Sequence, residues 1–113
     1  MNTSEIRKEN LINLYNEKGE RHGYWEEYWN NGQLYSKGNY INGKPHSYWE
    51  YYWYSGQLFY KGNYVNGKRD GYREVYYSNG QLRYKGNYVD GKRHGYWVEY
   101  DDNGKLINKI YYI

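Results

Sequence analysis

Most apolar side chains in this sequence are rings, and the rings fall in short runs with a two-residue period that break at Asn31-Gly32 and again at Asn42-Gly43. Such alternation is strand patterning, and both breaks match the two-residue hairpin turn whose central residues take positive φ. The whole pattern returns after 24 residues. Gly32, Gly56, Gly80 and Gly104 form one column, Leu34, Leu58, Leu82 and Leu106 another, and Tyr40, Tyr64, Tyr88 and Tyr112 a third. A fixed period within one chain denotes a stacked structural unit, here a pair of antiparallel strands.

A two-residue loop at Asn31-Gly32 pairs Asn30 with Gln33 and so predicts Tyr28 opposite Tyr35, Glu26 opposite Lys37, and Trp25 opposite Gly38. The Glu-Lys pairing recurs as Glu50 with Lys61 and Glu74 with Lys85, and Trp49 falls opposite Gly62, a ring over a bare strand glycine. The second turn, treated the same way, sets Gly38 against Ser47, Gly62 against Gly71 and Gly86 against Gly95, a seam at which strands bend. Because the period is even, faces are kept from unit to unit. Trp25, Trp29, Leu34, Gly38 and Tyr40 share one face; Tyr24, Glu26, Tyr28, Tyr35, Lys37 and Ile41 share the other.

Composition narrows this to a thin sheet. Aromatics make up 23% of 113 residues and 20 of them are Tyr, but aliphatic side chains are too few for a deep two-layer core. Mean hydropathy of −1.34 would suit a disordered chain, except that Tyr and Trp favour strands and bury a ring while keeping a polar tip wet. The expected fold is all-β, a single-layer, elongated antiparallel sheet of stacked β-hairpins, forming one domain over residues 1–113. It divides into an N-terminal cap at about 1–18 and repeats at about 19–42, 43–66, 67–90 and 91–113. The cap leaves two readings open. Leu11 to Asn16 forms a lone strand turning at Lys18-Gly19, or Ser4 caps a helix with Ile6, Leu11, Leu14 and Tyr15 on one face. No stretch approaches the roughly 20 apolar residues that span a bilayer, and residues 1–10 lack a signal-peptide core, so the default expectation is a cytoplasmic protein.

Written out, the repeat GNYVNGKRDGYREVYYSNGQLRYKGNYVDGKRHGYWVEY resembles the MORN repeat, specifically its bacterial variant. Matching positions include Gly80, Leu82, Gly86, Tyr88, Gly91, Lys92, Gly95, Tyr96 and Trp97, and the likeness runs from about Gly19 to Tyr112. Ser47, Arg73 and Ile110 depart from their columns, two of glycine and one of tryptophan. The resemblance implies an elongated curved sheet used mainly for protein contacts and, in some members, for anionic phospholipids. Bacterial proteins made only of this variant look like antitoxin or immunity components.

No catalytic set is evident, so the expectation is a non-enzyme without cofactor or metal. His22, His46 and His94 share a column with Asp70, but neighbouring members are two strands, about 9.6 Å, apart, too far for a common ion. Arg73 stands in a tryptophan column and Arg83 among Tyr35, Phe59 and Ile107. Arginine and aromatics dominate binding hot spots, which points to Trp49, Tyr51, Trp53 and Arg73 as a partner-binding patch for a protein such as a toxin or nuclease effector. The alternative is a basic ridge at one set of turns, Arg21, Lys44, Lys68, Arg69, Lys92 and Arg93, that binds phospholipid headgroups or, less readily, RNA or single-stranded DNA. The closing segment Lys105 to Ile113 reads as an edge strand able to pair with a second copy in a weak homodimer.

Overall fold

The computed structural model describes residues 11–113, whose regular structure is entirely strand. The strands are β1 (Leu14–Tyr15), β2 (Arg21–Tyr28), β3 (Leu34–Ile41), β4 (Lys44–Tyr52), β5 (Leu58–Val65), β6 (Lys68–Tyr76), β7 (Leu82–Val89), β8 (Lys92–Tyr100) and β9 (Leu106–Tyr112). They lie in chain order in one antiparallel sheet, and the molecule measures 58 × 33 × 20 Å. Leu14 and Tyr15 pair with His22 and Arg21, as the strand reading of the cap expects. The rival helix would begin at Ser4, outside the described residues.

The two turns of each repeat differ. Asn42-Gly43 is a two-residue loop with both φ values positive, 50° and 83°, as are Asn66-Gly67 and Asp90-Gly91. At Asn31-Gly32 the predicted two-residue loop is wrong. Trp29 N–H donates to the Gln33 carbonyl at 2.8 Å and Gly32 N–H to the Trp29 carbonyl at 3.0 Å, which makes a loop of Asn30, Asn31 and Gly32. Asn31 Oδ1 favours it by accepting from Gln33 N–H at 2.9 Å.

A longer loop slips the register by one residue, and a bulge at Tyr35 slips it back. Tyr28 therefore faces Leu34 rather than Tyr35, while Glu26 with Lys37 and Trp25 with Gly38 stand where the sequence predicts them. The bulge also carries Tyr35 onto the tryptophan face, contrary to expectation: its ring centroid lies 4.6 Å from that of Trp29 and 5.7 Å from Tyr51. A bulge seats two successive side chains on one side of a strand, so Phe59 and Tyr60 also share this face.

The glycine seam is likewise replaced by a bulge. Lys37 pairs with Glu50 and Asn39 with His46, which leaves two extra residues on β4 and no β4 partner for Gly38. In β6 the extra residues are Gly71 and Tyr72, so Gly62 faces Arg73, not Gly71. The left-handed backbone of this bulge explains the glycine column: φ is 81° at Gly23, 75° at Gly71 and 71° at Gly95, and Ser47 holds 66° in their place.

This second bulge redirects the rings. Trp49 covers Gly38 on the preceding strand instead of Gly62: a Cβ added at Gly38 would lie 2.2 Å from the indole. Trp97 covers Gly86 in the same way. Each indole nitrogen then donates to a backbone carbonyl, Trp49 to Asn39 and Trp97 to Asn87, both at 3.1 Å. The buried side chains, Trp25, Ser36, Trp49, Arg73, Val75, Tyr88 and Trp97, line this one face. A single-layer sheet thus makes its core from rings laid over glycine.

The opposite face carries charge in a row. Glu26, Lys37, Glu50, Lys61, Glu74 and Lys85 stand opposite one another on six successive strands. Lys37 Nζ lies 3.2 Å from Glu50 and Lys61 Nζ 3.1 Å from Glu74. Tyr48 and Tyr52 donate their hydroxyls to Glu50 at 2.7 and 2.5 Å, and Tyr72 and Tyr76 to Glu74 at 2.7 and 2.6 Å. Burial works to raise the Glu50 and Glu74 carboxyls, but the flanking tyrosines and the lysine outweigh it and hold both below the usual carboxylate range.

Candidate functional site

The aromatic face divides into two regions. Toward the N-terminal end, the rings of β2 to β5 surround an open groove of about 310 Å³ lined by Trp29, Tyr35, Tyr51, Trp53, Phe59 and Tyr60. Trp53 stacks on Phe59 with centroids 4.0 Å apart, and Tyr51 on Tyr60 at 4.4 Å. Backbone contacts fix the walls, since Trp29 and Trp53 donate to the carbonyls of Tyr52 and Tyr76 in the following repeat, at 3.2 and 3.3 Å. Burial pushes the Tyr51 hydroxyl up to about 12 and raises that of Tyr60 further, so both groove hydroxyls stay protonated.

Of the predicted patch, Trp49, Tyr51, Trp53 and Arg73 do share this face, but they are not equally available. Trp49 is 1% exposed and Arg73 3%, so these two support the surface from below. Tyr51 and Trp53 remain half-buried in the groove wall. Tyr35 and Phe59 belong to the groove too, and the sequence reading missed them there because a bulge has no simple alternation signature.

Toward the C-terminal end the same face turns cationic. Arg73 takes the place of a tryptophan over Gly62, with its guanidinium carbon 4.5 Å from the Tyr60 centroid and 5.3 Å from that of Tyr64. Its Nη2 donates to Tyr64 Oη at 2.7 Å, whereas its buried Nε has no hydrogen-bond partner. Arg69 donates to Tyr88 Oη at 3.2 Å, and Arg93 lies 4.3 Å over Trp97 and donates to Tyr112 Oη at 3.3 Å. Arg83 lies 5.5 Å from the Tyr77 centroid.

The predicted basic ridge is accordingly split. Arg21, Arg69 and Arg93 fold back onto the aromatic face, Arg21 against Trp25 and Glu27. Lys44, Lys68 and Lys92, one residue earlier in each strand, project from the other side by the alternation of the strand. His22, from the histidine column, lies in β2 opposite Leu14, its Nδ1 accepting from the turn residue Asn42 N–H at 3.2 Å.

No curated protein matches the sequence. The family model described as MORN repeat variant matches four consecutive segments, residues 21–42, 45–66, 69–90 and 93–113. Each segment spans one hairpin closed by a three-residue loop, from an arginine or proline of the bulged strand; the first three end at the first residue of the next two-residue turn and the fourth ends after β9. With most of its length accounted for by four such repeats, the chain belongs to the MORN repeat variant family, whose repeats act as binding modules.

Proposed function

We propose that the chain is a noncatalytic protein-binding module that blocks an effector, such as a toxin or nuclease of the cytoplasm, by occupying it through the aromatic face. The observation that carries this reading is the groove between Trp29, Tyr35, Tyr51, Trp53, Phe59 and Tyr60, a rigid aromatic surface left open on a protein that buries its other tryptophans. Rings held by backbone hydrogen bonds lose little freedom on binding, which favours affinity per unit area.

The test is to recover a partner from the native host and titrate it with wild-type protein and with Trp53→Ala. The reading expects at least tenfold weaker binding of the variant, the loss of a single aromatic hot spot, while the circular dichroism spectrum stays strand-type. It also expects saturating protein to suppress the partner's activity. Unchanged affinity refutes the face, and full partner activity in the saturated complex refutes inhibition.

A further inference from the structure

We infer that the arginines of the third and fourth repeats form a receiving site for an acidic segment of a partner protein, in which the exposed Arg69 and Arg93 make the contacts and the buried Arg73 adds its charge from below. The inference deepens the protein-binding reading above and rests on it.

Three guanidinium groups are gathered around the tyrosine column. Arg73 and Arg69 lie 5.9 and 5.5 Å from the Tyr88 centroid, and Arg93 stands one repeat on, against Tyr84, Trp97 and Tyr112. None is within salt-bridge distance of a carboxylate among the described residues, where the ion pairs are Arg21 with Glu27, Lys37 with Glu50 and Lys61 with Glu74. The contrast with the first repeat is direct. There Arg21 finds Glu27 on its own strand, but the residue in that column is Val75 in β6. In β8 it is Glu99, which accepts a hydrogen bond from Asn108 at 2.9 Å. Buried or half-stacked cations without an anion are a standing electrostatic cost, and a ligand carboxylate is the group that would relieve it.

Geometry favours a carboxylate-bearing chain over other anions. Arg69 and Arg93 each spend one terminal nitrogen on a tyrosine hydroxyl and keep further N–H groups, which take a carboxylate in charge-assisted hydrogen bonds. The open space beside Arg93, about 240 Å³ between Arg83, Tyr84 and Ile110, admits side chains of that size; Glu99 also lines it, with a carboxylate oxygen held by Asn108. Arg69 and Arg93 are two strands apart, about 9.6 Å, a span covered by acidic residues two or three apart in an extended segment. A nucleic acid would need free ring faces for its bases, and the rings beneath these arginines, Trp97 and Tyr88, are buried. A lipid surface would meet protruding lysines first, and those belong to the other side of the sheet.

The probe is a fluorescein-labelled octaglutamate peptide, titrated by fluorescence anisotropy against the whole chain in low salt. The proposal expects saturable binding that weakens about tenfold in Arg93→Gln and again in Arg69→Gln, as for loss of one charge-assisted pair each. It expects a change below twofold in the double variant Lys44→Gln, Lys92→Gln. Arg73→Trp, which restores the ring of the neighbouring repeats and keeps the fold, should also weaken the peptide. Equal losses in the arginine and lysine variants overturn the site, as does absence of peptide binding. Binding to phosphatidylserine vesicles without binding to the peptide overturns the ligand class. Failure here is distinct from failure of the parent reading: a recovered partner that loses affinity in Trp53→Ala but not in Arg93→Gln leaves the binding module standing and removes the arginine site.

Discussion

Gly38 and Gly62 lie at the same point of successive repeats, one beneath Trp49 and the other beneath Arg73. The indole presses so closely on Gly38 that an added Cβ would lie 2.2 Å from it; at Gly62 the nearest atom is Arg73 Nε at 3.1 Å. Trp49 satisfies its N–H on a backbone carbonyl, but Arg73 spends one nitrogen on Tyr64 and leaves Nε unpartnered. One backbone thus accepts two occupants of opposite character. The second repeat uses its slot to build core, and the third uses it to place a cation beneath the aromatic face. Repeat proteins permit this because each unit contacts only its neighbours, so a costly substitution in one is confined to that place.

The largest expected effect separates the two slots by truncation. Trp49→Ala should destabilise by about 4 kcal/mol, as for loss of a buried tryptophan. Arg73→Ala should cost only about 1 kcal/mol, because removal of an unpaired buried cation offsets the lost packing. Urea midpoints at constant slope measure both, and equal losses would end the distinction.

Filling the glycines sharpens it from the other side. Gly38→Ala should cost about 3 kcal/mol, since a fixed ring must shift, whereas Gly62→Ala should cost about 1 kcal/mol because a flexible arginine can yield. If Gly62→Ala proved the worse of the two in thermal melts, Arg73 would be as rigidly placed as Trp49.

Ser47 offers a smaller test, again between these repeats. The third repeat has glycine at this bulge position and the second has serine at a φ of 66°, so Ser47→Gly should stabilise by about 0.5 to 1 kcal/mol. A loss of stability would mean that the serine side chain compensates for its backbone.

The smallest effect is set by pH. The Glu50 and Glu74 carboxyls are held below their ordinary values, so their contribution is present above the unfolded value near pH 4.3 and is lost as pH falls through the folded values. A shallow acid step in melting temperature should therefore be seen in the wild type and vanish in Glu50→Gln, Glu74→Gln. The alkaline limb has the opposite sign. Tyr24 and Tyr76 are raised to about 12, chiefly by burial and then by their glutamates, so stability should hold to about pH 10 and fall toward 12. A melting temperature flat from pH 3 to 5 would show that the charge row contributes nothing to the second and third repeats.

The period of 24, the two turns per unit and the placement of strands were all legible in the residues, because hydrophobic alternation and turn chemistry act over a few positions and recur. The register at Trp25 with Gly38 was also legible, although through two compensating slips. A three-residue loop displaced the pairing by one and the bulge at Tyr35 restored it. The arginine at position 73 was visible as a break in its column, but not its burial.

What the sequence determined by itself was a stack of four hairpins faced with rings, since that much follows from local backbone preference and repetition. Only the tertiary structure decided which ring covers which glycine, which side of the sheet Tyr35 and Phe59 join, and that the arginines of the turns lie on rings while the lysines do not. Those outcomes depend on bulges, where one or two extra residues re-aim every side chain nearby. A bulge is settled by the fit between neighbouring strands, not by the preferences of the residues within it.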